Sequence, residues 1–469
     1  MNFDQIAALT VLVAVVGVLI HGRVRADVVA LTGAAALLLL GVVRPTEVQS
    51  AFASPAVIAL AGLFVIAYAI ELSGLLGLMI RKATDLAQRF GSLGIWAVLA
   101  MCGGLGGFLN NTPVVVLAAP VVRDVAKSLK LSPKRFLMPL SHISVLGGLL
   151  TLIGTSTNLL VNDMARNAGQ PVFTLFEITP VGLCIALAGA VWLYFAGARQ
   201  LAKSVTVDER EAAFLAAVED ARREEEAERL RRRRLRLPFG LPFLGEARTN
   251  RDGSGDAHLG DVALFGAADR PFHLRRALIS AGVFVLVVAA AGLGLAPIAA
   301  AAFAGAVALI LTRVITAEEA YAGLRPEILL LIAGMVVIGI SIEVTGLAAT
   351  GAAALIDVIR PLGPLGALIV LYGVTLFATE LLSNATVAVL ITPVAVALAE
   401  SLGVDPRPFL VGVMMAASAA FATPFGYQTN VLVFQMGGYS YMDFVRVGLP
   451  LNLITWVVAM IAIPVFFPF

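Results

Sequence analysis

Phe108 to Val161 reads FLNNTPVVVLAAPVVRDVAKSLKLSPKRFLMPLSHISVLGGLLTLIGTSTNLLV, and Leu381 to Phe434 reads LLSNATVAVLITPVAVALAESLGVDPRPFLVGVMMAASAAFATPFGYQTNVLVF. Laid side by side, Asn111 falls on Asn384, Pro120 on Pro393 and Phe136 on Phe409. After a one-residue shift, Thr151 falls on Thr423, Gly154 on Gly426, Thr157 on Thr429 and Asn158 on Asn430. Each copy has a polar tip inside an apolar run, followed by a second break rich in Gly, Thr and Asn. Polar, helix-breaking residues are costly in lipid unless they line a cavity or bind something. Two copies at matching places are the sequence sign of a transporter built from repeats.

Composition agrees. The chain has 469 residues, 59% hydrophobic and only 14% charged, with a mean hydropathy of +0.93. Several windows approach the roughly 20 apolar residues that span a bilayer. The start, Met-Asn-Phe-Asp-Gln, lacks a basic region, so the first apolar segment reads as a retained span and not a signal peptide. A net charge of +2 does not suggest nucleic acid. Cys102 and Cys184 lie in apolar runs and read as small packing residues. The four histidines have no metal-ligand spacing, and no constellation for enzyme catalysis stands out.

Spans follow from apolar length, and orientation from Lys and Arg. The first three are about 5–21, 27–44 and 55–80. The run 92–128 has basic residues on both flanks, including Arg81, Lys82, Arg123, Lys127 and Lys130. Both its ends therefore read as cytoplasmic, making it a re-entrant hairpin with Asn110-Asn111-Thr112-Pro113 at the tip. Span 136–165 is broken at Gly154 to Asn158 and leads outward; span 175–197 returns.

Residues 199–275 change character. An acidic-basic stretch ends in Arg231 to Arg234, and a Gly/Asp/Asn-rich piece follows. This is a cytoplasmic charged linker between repeat 1 (1–198) and repeat 2 (276–469). The arginines fit a topology anchor or an anionic lipid surface. The second half has spans of about 276–294, 296–312 and 327–347. A hairpin at 363–400 follows, with Ser383-Asn384-Ala385-Thr386 at its tip. Next come a span at 408–440, broken at Thr423 to Gly426, and a last span at 447–468. Five crossings per half is an odd number, so the halves enter the membrane with opposite polarity and both termini lie outside. A further matched block, Glu71 to Leu75 and Glu343 to Leu347, supports the repeat. The expected fold is an all-α polytopic membrane protein of two inverted repeats, each with about five transmembrane helices and one re-entrant hairpin.

A hairpin tip at the bilayer midplane exposes helix ends: carbonyls attract cations and N-termini attract anions. Asn111 and Asn384 can offer an oxygen to Na+ and an amide to an anion at once. Along the chain no Lys or Arg adjoins either tip, so an anion there needs dipoles, amides, hydroxyls and co-bound cations. That argues for cation-coupled symport. Asn can instead glue helices together, but matched tips followed by matched breaks favour a site. Glu380, three residues before the second tip, is a candidate coupling residue or a scaffold anchor. His142, Glu71 and Glu343 read as structural. The glycine pairs 103–104 and 147–148 read as close-packing points, not phosphate loops.

These residues resemble the divalent-anion:sodium symporter family of the wider ion-transporter superfamily. The resemblance is carried by NNTP at 110–113, SNAT at 383–386, GTSTN at 154–158, TPFGYQTN at 423–430 and GGYSYMDFVRVGLP at 437–450. It implies a homodimer with a scaffold part and a mobile part, carrying dicarboxylates, citrate or sulfate with Na+ by an elevator movement. One Na+ site would use Asn110, Asn111 and Gly154. The other would use Thr379, Asn384 and a carbonyl near Ala422 to Gly426. Substrate would touch Asn110, Asn111, Thr112, Ser383, Asn384, Thr155 and Thr429. The family's paired tip motif is Ser-Asn-Thr; Asn110 and Ala385 depart from it, each losing a hydroxyl. The breaks look most like the sulfate-type permease branch.

The expected function is an inner-membrane symporter of a small divalent anion, sulfate or a di/tricarboxylate, with Na+ as coupling ion and no organic cofactor. Its competitors are a proton-coupled or antiporting relative, using Glu380, and an anion-binding membrane sensor signalling through 199–275.

Overall fold

In the computed structural model the described residues are 2–21, 24–197, 201, 272–350 and 362–469. The charged linker at 199–275 lies outside them except for Leu201 and 272–275, as do Arg23 and Arg360. The described residues are helical, with no strand. Most helices are nearly continuous apolar sequence, which only a lipid or fully buried setting tolerates. Six helical stretches are long and apolar enough to cross a bilayer: Pro45–Leu72, Thr179–Gly197, Leu274–Gly292, Pro326–Val344, Asn384–Leu402 and Tyr441–Phe466.

The first half runs α1 (Phe3–His21), α2 (Ala26–Leu39), α3 (Pro45–Phe52), α4 (Pro55–Leu72) and α5 (Leu75–Phe90). It continues through α6 (Ser92–Gly106), α7 (Asn111–Ser128), α8 (Lys134–Gly148), α9 (Ser156–Asn167) and α10 (Thr179–Trp192), the last ending in a π-helical turn, Leu193–Gly197. The second half runs α11 (Leu274–Gly292), α12 (Ile298–Leu311), α13 (Ala317–Gly323) and α14 (Pro326–Val344). After it come α15 (Gly363–Ala378), α16 (Asn384–Leu402), α17 (Arg407–Ala417), α18 (Gln428–Gly437) and α19 (Tyr441–Phe466). The order is the same twice over. Only the counterpart of α5 falls largely among residues that are not described.

Packing repeats with the order. Helix α2 lies on α14, and α12 lies on α4. At the first crossing a Cβ on Gly334 would come within 2.8 Å of Ala30; at the second, one on Gly62 would come within 2.6 Å of Ala302. Gly334 and Ala302 follow Gly62 and Ala30 by 272 residues, the interval that separates Asn158 from Asn430. Both crossings thus need the same small residue at the same point, because larger side chains would separate the backbones.

Two packing groups emerge. Helices α1–α4 gather with α11–α14, and α6–α10 gather with α15–α19. The groups meet where α14 lies on α16 and α9, and where α4 lies on α9. At that seam Gly339 of α14 is covered by Met164 of α9 and Val389 of α16. Inside the second group the glycine pairs act as expected. Gly147 packs on the Gly103 backbone with no room for a side chain.

Three elements differ from the sequence reading. The span 55–80 is two helices, because the chain turns at Gly74 with φ of +72°, a conformation that costs glycine little. Helix α5 begins there and is amphipathic: Leu76 and Ile80 are buried while Arg81 and Lys82 are exposed. The breaks are also longer than the motifs suggested. They run from Leu149 to Thr155 and from Ser418 to Tyr427.

Candidate functional site

Each tip turn lies just ahead of the motif read in the sequence, so that Asn111 and Asn384 open the helices that follow. Helices α6 and α7 pack against each other across the turn at 107–110, and α15 and α16 across 379–383. Asn110 caps α7: its Oδ1 accepts from Thr112 N at 3.2 Å. Ser383 caps α16 in the same way, accepting from Thr386 N at 3.3 Å, and its hydroxyl also pairs with Thr386 Oγ1 at 2.7 Å. Such caps satisfy N–H groups that a helix start inside lipid would leave bare. Asn110 also faces a small cavity shared with Ala67, Glu71 and Pro113, so Glu71 lies nearer the tip than its place in the sequence implied.

The breaks are held by a matched pair of amides. Asn158 Nδ2 donates to Gly148 O at 3.3 Å and Thr151 O at 3.0 Å. Asn430 Nδ2 donates to Ala420 O at 2.9 Å and Thr423 O at 3.2 Å. Each amide ties off two carbonyls freed where a helix stops. Each break is then fastened to its own tip: Thr151 Oγ1 donates to Gly107 O, and Thr423 Oγ1 donates to the Glu380 carboxylate at 2.8 Å.

Glu380 does more than receive that hydroxyl. Its oxygens also accept from Ala422 N at 2.8 Å, Thr423 N at 2.9 Å and Asn452 Nδ2 at 2.7 Å. Four donors from α19 and the second break lock the second tip in place. These contacts fit the anchoring alternative for Glu380.

The tip asparagines are buried, and each has one side-chain atom without a partner. Asn111 Nδ2 donates to Tyr427 Oη at 3.3 Å, leaving Oδ1 bare. Thr379 Oγ1 lies 2.8 Å from the Asn384 amide and 2.8 Å from Ala417 O. A hydroxyl has one proton. If Ala417 takes it, the Asn384 nitrogen faces the hydroxyl and the amide oxygen becomes the bare atom, in place of Nδ2. Both tips then present an unpaired amide oxygen. Backbone oxygens lie near the first tip amide: a Cβ on Gly106 would meet both Asn111 Oδ1 and Ser144 O at 2.6 Å, and one on Gly148 would meet Asn111 Nδ2 at 3.1 Å and Gly154 O at 3.3 Å. Oxygen-rich, neutral surroundings of this kind suit a small hard cation.

The match breaks beside the tip asparagines. Gly106 stands in half one where Thr379 stands in half two. A Cβ there would lie 2.6 Å from both Asn111 Oδ1 and Ser144 O, so no hydroxyl bridges them. The other expected residues divide. Thr155 caps α9, accepting from Thr157 N at 3.3 Å. Thr112 reaches Gln428 Oε1 at 3.3 Å. Thr429 is fully buried, and its hydroxyl pairs with Ser141 of α8 at 2.7 Å. Gly426 N donates to Thr423 Oγ1 at 3.1 Å, close under Glu380. His142 is fully buried edge-on to Phe421 and Phe444.

The sequence model of the citrate transporter family matches residues 15–403 and 381–468. The chain belongs to this family. Among curated relatives of the family member, the uncharacterized transporter YfbS of Escherichia coli is 27% identical over all of both chains. The uncharacterized transporter sll0640 of Synechocystis is 26% identical over 91% of each. Sodium/sulfate cotransporter 1 of Chlamydomonas reinhardtii is 34% identical, over 32% of this chain and 17% of its own. In fold, the crystal structure of the Alcanivorax borkumensis YdaH transporter, described as having an unusual topology, matches with a TM-score of 0.55 at 14% identity, covering 90% of this chain and 87% of that one.

The fold of this transporter brings in residues that motif reading passed over. Asn452 is a polar residue in an apolar span, the very signal that singled out Glu380. Tyr427 and Gln428 lay inside a quoted motif without a role.

Proposed function

We propose that the protein is a secondary active symporter moving a small divalent anion, sulfate in the first instance, with Na+. One observation carries this reading: two buried tip asparagines in corresponding halves each keep one side-chain atom unpaired. The cation sites would use Asn110, Asn111 and Gly154 on one side, and Thr379, Asn384 and the Gly426 region on the other. The anion would lie against Asn110, Asn111, Thr112, Ser383 and Asn384, with Thr155 at the margin. Thr429, committed to Ser141, would shape the break from behind. Partial similarity to sodium/sulfate cotransporters supports both Na+ and sulfate.

Transport would be an elevator movement of the tip-bearing group against α1–α4 and α11–α14, consistent with a seam formed largely by four helices, α4, α9, α14 and α16. The proposed frame is two inverted repeats, 1–198 and 276–469, with termini outside, the 199–275 linker in the cytoplasm and a homodimer as the working unit. Glu380, with four donors around it, serves as an anchor, which favours Na+ over proton coupling.

The deciding experiment is uptake of labelled sulfate and of succinate into proteoliposomes, under an inward Na+ gradient with a K+ control. Na+-driven uptake abolished by Asn111→Ala and by Asn384→Ala supports the symporter. Uptake driven by a pH gradient and indifferent to Na+ refutes the coupling; uptake of neither anion refutes the substrate class.

A further inference from the structure

Tyr427 and Gln428 reach the first tip from the opposite half of the chain. Tyr427 Oη accepts from Asn111 at 3.3 Å, and Gln428 Oε1 accepts from Thr112 at 3.3 Å. Each residue then has hydrogen-bonding capacity left over. Among the described residues, neither the Tyr427 hydroxyl proton nor the Gln428 amide N–H groups meet an acceptor. Gln428 is exposed and Tyr427 partly so. Unused donors therefore stand against the two tip residues best placed to touch an anion.

Their counterparts in the other half are small. Tyr427 corresponds to Thr155 and Gln428 to Ser156, and Thr155 turns its oxygen onto its own helix. A phenol ring and a glutamine thus stand beside the first tip, where the matching positions of the other half carry a threonine and a serine.

We propose that Tyr427 and Gln428 contact the transported anion and size the site for a compact tetrahedral oxyanion, shutting out longer di- and tricarboxylates. The proposal rests on the symporter reading and sharpens its substrate. A sulfate ion is fully ionised at neutral pH and only accepts hydrogen bonds, so a cluster of O–H and N–H donors suits it. A longer carboxylate would collide with the ring or leave one charged end undonated, and unpaired buried polar groups are what make such discrimination steep.

The test uses the full chain in proteoliposomes. Tyr427→Phe keeps the ring and removes the hydroxyl. The double variant Tyr427→Thr with Gln428→Ser installs the residues of the other half. Tyr427→Phe is expected to raise the sulfate KM about tenfold with kcat within about threefold, a signature of lost uniform binding. The double variant is expected to let succinate or citrate compete with sulfate. Unchanged sulfate KM and continued exclusion of carboxylates in both variants overturn the proposal. A shift in the Na+ half-saturation with sulfate KM unchanged also overturns it, because Tyr427 would then only position Asn111. Wild-type preference for a carboxylate over sulfate overturns it while leaving Na+-driven transport standing. If the wild type takes up nothing, the function reading has failed separately. Thermal stabilisation of the purified protein by sulfate then decides: stabilisation lost in Tyr427→Phe supports contact, and its absence in the wild type refutes it.

Discussion

Glu380 shows how one residue's meaning depends on its partners. In the sequence it is an acid at membrane depth, equally a coupling group or an anchor. Two backbone N–H groups, a threonine hydroxyl and an asparagine amide take all its nearby capacity. Glu380→Gln turns an N–H pair toward those donors. It should lower stability by roughly 2–3 kcal/mol, read as an earlier melting transition in detergent, and should cut uptake without creating pH-gradient dependence. The tip asparagines behave differently, since each has an unpaired side-chain atom. Asn111→Ala and Asn384→Ala should each abolish the thermal stabilisation that Na+ gives the wild type, while the melting temperature in K+ changes little. At this scale the sequence marked Asn111, Asn384, Asn158 and Asn430 as matched polar interruptions, and the structure buries all four. The sequence was silent on partners. Asn452 joins the site only because a distant segment folds beside it, and no local spacing encodes that.

Elements were legible where composition changes sharply and illegible where it does not. Both tips announce themselves as polar groups before an apolar run, and α7 and α16 start at Asn111 and Asn384. The turn at Gly74 was hidden, because Leu, Gly and Ser continue an apolar pattern without punctuating it. The breaks were underestimated for a similar reason. Leu149 to Ile153 and Ser418 to Ala422 are apolar or small, and look like helix until the carbonyls are counted. Close helix contacts give one prediction. Gly147→Ala would drive a methyl into the Gly103 backbone, and overpacking of this kind costs about 1–3 kcal/mol; pairing it with a melting measurement and gel filtration reads the loss directly. The seam gives another. Cysteines at Met164 and Gly339 should cross-link readily in the untreated protein, and oxidation should stop uptake, with dithiothreitol restoring it. Uptake that continues at full rate after complete cross-linking would mean that α9 and α14 do not move past each other.

At the scale of the whole molecule, the two halves share an order of elements, a pair of helix crossings and a pair of amide-held breaks, yet they are not equally enclosed. Nine of the twelve residues of α9 are buried, but only three of the ten residues of α18. Both seam-forming helices, α4 and α14, lean on α9, whereas α18 rests on α7 and α8. Phe425, just before α18, is largely exposed. The proposed frame of two inverted repeats predicts a second arrangement with the roles exchanged. Its detail can be read off the first. Met164, Val389 and Gly339 correspond to Met436, Val116 and Ala67. In the exchanged state Met436 should cover Ala67 as Met164 now covers Gly339. Cysteines at Ala67 and Met436 should therefore join only during turnover, with substrate and Na+ present, and should trap the protein open to the other side of the membrane. On that proposed frame each half serves as the mould for what the other becomes.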